Sequence, residues 1–111
     1  MNFAIRIVNL YNFLYNKNQE KVMSKQILRC GTSIGANINE GLFAESSADF
    51  IHKYSISQKE CSETLYWLEL LSRTNYISSQ QYNSLNTDCT DLIKMITSSI
   101  ITCKKNTNHQ P

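Results

Sequence analysis

Apolar residues recur along this chain at steps of three and four, the spacing that lines one side of an α-helix, and they divide it into four segments. The first, residues 2–16, carries Phe3, Ile7, Leu10 and Leu14 on one side, widened by Ala4, Val8, Tyr11 and Tyr15. The second, residues 18–39, aligns Met23, Ile27, Cys30, Ile34 and Ile38. It is expected to stop at Glu40-Gly41, with Gly41 taking the left-handed C-terminal cap. The third opens at Ser46 or Ser47, sets Asp49 in its first turn, and runs to residue 73 with Phe50, Tyr54, Cys61, Leu65 and Leu68 inward. The fourth begins near Ser78 or Ser79 and has the most regular seam: Tyr82, Leu85, Cys89, Leu92, Ile96, Ile100 and Cys103. The breaks, near residues 17–19, after Gly41 and around Asn75, are short, and short links favour antiparallel neighbours. The pattern predicts an all-α, antiparallel up-down-up-down four-helix bundle over residues 1–105. A disordered polar tail is expected over residues 106–111.

Composition supports long helices. The single proline is the last residue, Pro111, and the three glycines, Gly31, Gly35 and Gly41, lie close together, so nothing supplies the many turns of a β domain. Cys30, Cys61, Cys89 and Cys103 have no C-x-x-C spacing and sit on apolar stripes, which reads as core thiols in a reducing cytosol. The N-terminal apolar stretch is interrupted by Arg6, Asn9 and Asn12. It therefore suits neither a signal peptide nor a membrane span, and a cytoplasmic protein is expected.

Two segments carry more than one core-facing stripe. On the third, Ile56, Tyr66, Trp67 and Leu70 form a second strip with Glu60 and Glu63 among them, which suits a partner surface. The alternative is that Trp67 tucks beneath a neighbouring helix or the loop after Gly41. On the second segment, residues beyond Arg29 become small: Gly31, Thr32, Ser33, Gly35 and Ala36. Glycine in a helix interior costs about 1 kcal/mol relative to alanine, so two of them imply a compensating close approach. The expected oligomer interface is Gly31, Gly35 and Ala36 with Ile56, Glu60, Glu63, Trp67 and Leu70. Asn37 and Glu40, one turn apart, are expected to fix helix register as a polar pair.

Charge is uneven. Residues 1–39 hold Arg6, Lys17, Lys21, Lys25 and Arg29 against Glu20 alone, while residues 40–69 are net acidic. Lys17, Lys21, Lys25 and Arg29 follow one another at i, i+4 and suit a ridge for nucleic-acid phosphates; a solvated face, or one neutralised by a neighbour's acidic third segment, is the other reading. Catalytic chemistry is not evident. His52 stands beside Lys53, His109 falls in the tail, and neither follows an arginine at the spacing of small helical ribonucleases. Glu60 and Glu63 share a face without the Glu-x-x-His partners of a di-metal site. No phosphate-binding glycine loop, H-E-x-x-H or G-x-S-x-G occurs. A non-enzymatic protein with no cofactor and no small-molecule substrate is expected.

The stretch Thr32-Ser33-Ile34-Gly35-Ala36-Asn37-Ile38-Asn39-Glu40-Gly41 resembles the S-I-x-x-N-I-x-E-G signature of the four-helix bundle family called the ribosomal S23 or intervening-sequence protein family. Residues 47–51 and 59–71 resemble it as well, so the similarity spans nearly the whole chain. The resemblance implies a cytoplasmic homopentamer, with Asn37, Glu40 and Gly41 as structural motif positions. A related branch, the accessory proteins of diversity-generating retroelements, implies RNA, DNA or a nucleic-acid enzyme as partner. The leading expectation is an oligomeric interaction scaffold. The alternatives are a nucleic-acid-binding module proper or a small helical nuclease.

Overall fold

The computed structural model describes residues 1–108 and holds four helices: α1 (Asn2–Asn12), α2 (Met23–Leu42), α3 (Ser47–Arg73) and α4 (Ser79–Asn108). No strand occurs among the described residues. The chain goes up and down through the four in order, α1 packing on α2, α2 on α3 and α3 on α4. Buried side chains of all four make one core, including Ile7, Leu14, Ile27, Ile34, Leu68, Leu71 and Ile96.

Local chemistry sets most helix ends. Ser46 caps α3 by accepting from the Asp49 backbone N–H at 3.1 Å. Ser78 and Gln81 form a reciprocal capping box ahead of α4, each side chain accepting from the other's backbone N–H. At the end of α3, Asn75 is left-handed at φ 65°, the Tyr76 N–H donates to Leu71 O and the Asn75 N–H to Ser72 O. Those two bonds satisfy carbonyls that the helix would otherwise leave open.

The start of α2 departs from the expected position. α1 widens into a π-helical turn, Phe13–Lys17, and Gln19 then reverses the chain at φ 57°. Glu20 turns inward, accepting from the Val22 and Met23 N–H groups at 3.0 Å each and from Ser24 N–H at 2.7 Å. This carboxylate serves as the cap of α2, so the helix begins at Met23 instead of residue 18. The far end also differs. Gly41 lies inside α2, which runs on to Leu42, and no glycine has positive φ. A Cβ on Gly41 would come within 2.6 Å of the Tyr54 ring. Close approach of α3, and not a left-handed cap, therefore explains that glycine. α4 continues through Asn108, into the stretch read as tail; residues 109–111, with His109, lie outside the described residues.

The molecule is a rod, 56 × 22 × 19 Å. α1 is short and covers only part of its length. Its first residues lie beside Leu92 and Met95 of α4, while Asn18, just past its far end, donates to the Tyr76 carbonyl in the α3–α4 link. The rod is four helices thick at the Tyr76 end. At the other end it is three helices thick, with only the later part of α2, the start of α3 and the later part of α4.

Candidate functional site

Three places join side chains that carry charge, chemistry or unpartnered apolar surface. The first lies between α2 and α3. Arg29 binds both oxygens of Glu63, at 2.6 and 2.7 Å, and its other nitrogen stands 3.6 Å from Glu60. The bond to Glu63 raises the Arg29 pKa, so this cation keeps its proton. Cys30 lies behind, and ligand-type atoms of Cys30, Glu60 and Glu63 come within 4.8 Å of one another. Neither the spacing of Glu60 and Glu63 nor the position of Cys30 announced that grouping in the sequence. The Cys30 thiol accepts from Thr64 Oγ1 at 3.2 Å, and burial pushes its pKa up to about 11. Burial also raises Glu60, against the pull of Arg29. A protonated thiol and a guanidinium clasping the carboxylate make this an ion-pair knot between α2 and α3, since an arginine already sits where a cation would bind.

This knot bears on two expectations. Arg29 does not belong to the basic ridge, because its charge is taken up within the chain. Glu63 is likewise bonded to Arg29 of its own chain, with Glu60 beside the pair. Trp67 packs against the core, its ring N–H buried without an acceptor, and meets Tyr66 edge-on at 5.1 Å. Of the rest of the second strip, Ile56 and Leu70 are half-buried and Tyr66 is exposed.

The small-residue stretch of α2 divides. A Cβ on Gly31 would lie 2.8 Å from Ile7 of α1, so Gly31 belongs to the α1–α2 contact and not to an outside interface. A Cβ on Gly35 would meet nothing within 4 Å. Gly35 and Ala36 instead line the second place, an open groove at the edge of the three-helix end, with Ile38 and Leu42 of α2, Leu92 and Met95 of α4, and Met1. Leu42 is 66% exposed and the adjoining Phe43 80%, with Met95 and Ile101 also exposed on this end. Asn37 and Glu40 do not bond to each other. Asn37 donates to the Ser33 carbonyl of its own helix at 2.9 Å, and Glu40 pairs with Lys53 of α3 at 3.0 Å.

The third place is the corner where α1 turns into α2. The non-helical link interrupts the expected ridge, so Lys17, Lys21 and Lys25 are not on one helix. The ammonium groups of Lys21 and Lys25 nevertheless each stand over the Tyr15 ring, 5.6 and 5.7 Å from its centre. Tyr11 stands 5.4 Å from Tyr15, one turn back on the same side. None of the ion pairs among the described residues involves Lys17, Lys21 or Lys25. Cys30, Cys61 and Cys89 are buried and Cys103 half-buried, and the hydrogen bond with Cys61 and burial push Cys89 up. No helix among the described residues is long and apolar enough to cross a membrane.

A family model described as 23S rRNA-intervening sequence protein matches residues 1–98. A solved structure of a protein with unknown function from the S23 ribosomal protein family, from Bacteroides thetaiotaomicron, is 61% identical and superposes with a TM-score of 0.88. That match covers 89% of this chain and 92% of the other. No curated protein matches the sequence significantly.

Proposed function

The chain belongs to the 23S rRNA-intervening sequence protein family, and on that footing we propose that it is a non-enzymatic scaffold that assembles with copies of itself and presents a basic corner to nucleic acid or a nucleic-acid-processing partner. The observation that carries this reading is the groove along the three-helix end. It is lined by a bare glycine, Gly35, and by Ile38, Leu42 and Met95, and none of the described residues fills it. A second copy fits such a place, since a glycine lets another backbone approach closely and the apolar rim gains by leaving water. A homopentamer in the cytoplasm is the assembly this reading favours. The corner of Lys17, Lys21 and Lys25, multiplied by the number of subunits, then becomes a polyvalent cationic surface.

The mass in solution, measured by light scattering over a salt series, tests the assembly. The wild type should run as a multiple of 12.8 kDa that persists at high salt. Gly35→Leu should reduce it to the monomer with helical content unchanged, because the isolated chain has room for the side chain. A wild-type monomer, or an undisturbed oligomer of the Gly35→Leu variant, would sink the proposed contact.

A further inference from the structure

We infer that the α1–α2 corner takes single-stranded nucleic acid, with unstacked bases against Tyr11 and Tyr15 and phosphates on Lys17, Lys21 and Lys25. The inference rests on the nucleic-acid part of the proposed function and names the form of nucleic acid it would hold.

Among the described residues, no ion pair compensates the lysines of this corner. Lys21 and Lys25 are held with both ammonium groups within about 6 Å of one ring, the range of a cation–π contact. Both ammonium groups thus stand beside one aromatic ring, where a phosphate on a strand that reaches the ring has cations close by. The acid nearest in sequence, Glu20, does not serve. It is 9% exposed and spends its oxygens on three backbone N–H groups at the start of α2. Lys17 is exposed at the end of the π-helical turn, two residues past Tyr15.

The tyrosines decide the class of ligand. Tyr11 and Tyr15 are half-buried and side by side, their ring planes inclined at 36°. Base–aromatic stacking is open to any base whose face is free, and the bases of a duplex have none to offer. An acidic peptide would use the lysines but gain nothing from adjoining aromatic rings. A basic groove interleaved with aromatic side chains is how strands are held without sequence preference. The pattern was hidden in the sequence because Lys21 and Lys25 lie beyond a reversal of the chain from Tyr11 and Tyr15.

Fluorescence anisotropy with a labelled oligo-uridylate, the matching duplex and a polyglutamate peptide, each at low and moderate salt, tests this with the full chain. The single strand should bind more tightly than the duplex, and its affinity should fall as salt rises. Tyr15→Leu, which keeps apolar bulk without a π face, should weaken single-strand binding by roughly 5-fold to 100-fold and leave the salt slope unchanged. Tyr15→Phe should restore it. Lys21→Ala and Lys25→Ala should each weaken binding and flatten the salt slope by roughly 0.7. Wild-type affinity in Tyr15→Leu, or a duplex bound as tightly as the strand, would overturn stacking while leaving a basic nucleic-acid surface. Binding of polyglutamate alone, or of no probe at all, would overturn both.

Discussion

Each of the three glycines meets a different neighbour, and that neighbour sets what a methyl group would do. At Gly31 the added atom would press on Ile7, and at Gly41 on the ring of Tyr54, itself stacked on Phe50 at 4.1 Å. Gly31→Ala and Gly41→Ala should each destabilise by about 1–3 kcal/mol in urea titrations, the cost of overpacking. Gly35→Ala should stabilise the dissociated chain by up to about 1 kcal/mol, since the helix gains and nothing is displaced. Equal behaviour of all three would contradict the division between internal contacts and an open face. The sequence marked this stretch as unusual, and periodicity alone could not say which glycine faced which surface. Gly31 and Gly41 owe their lack of a side chain to residues on other helices, and no local pattern reports a contact made across the fold. Arg29 gives the same lesson: its charge was plain, and its two glutamate partners, 31 and 34 residues away, were not.

At the scale of the helix, what could be read was what is closed locally. The starts of α3 and α4 fall at the serines read as their openings, because those caps are made within one turn. α2 begins late because its cap is a glutamate reached through a left-handed Gln19, a residue pair without the usual serine or aspartate signature. Glu20→Ala leaves three backbone donors at the start of α2, that of Ser24 buried, without their carboxylate acceptor, and should cost about 1–2 kcal/mol. Glu20→Gln, which keeps one acceptor oxygen, should cost less. Urea midpoints and amide exchange at Val22, Met23 and Ser24 check this; a Glu20→Ala variant as stable as wild type would deny Glu20 the capping role.

The whole molecule is extended for its size. Its radius of gyration is 15.6 Å, where a compact chain of this length would have about 13 Å. A thin rod buries less of its apolar surface than a sphere, which is consistent with the exposure of Leu42, Phe43, Met95 and Ile101 toward one end. If copies cover that end, folding and assembly are linked by mass action. The thermal midpoint should then rise by several degrees over a hundredfold increase in protein concentration, and Gly35→Leu should abolish the dependence. A midpoint independent of concentration in the wild type would place the stability within the single chain.

The unequal thickness of the rod also bears on how it opens. Where α1 lies alongside, a local excursion must part four helices and the Arg29 knot together. Beyond Met1, the last turns of α2 and α4 can separate against α3 alone. Backbone amides in the later part of α4 should therefore exchange with solvent sooner than those around Cys61 and Cys89. The end that offers the groove is then also the end that breathes, and a partner seated there would act as a splint, slowing exchange first where the free subunit is loosest.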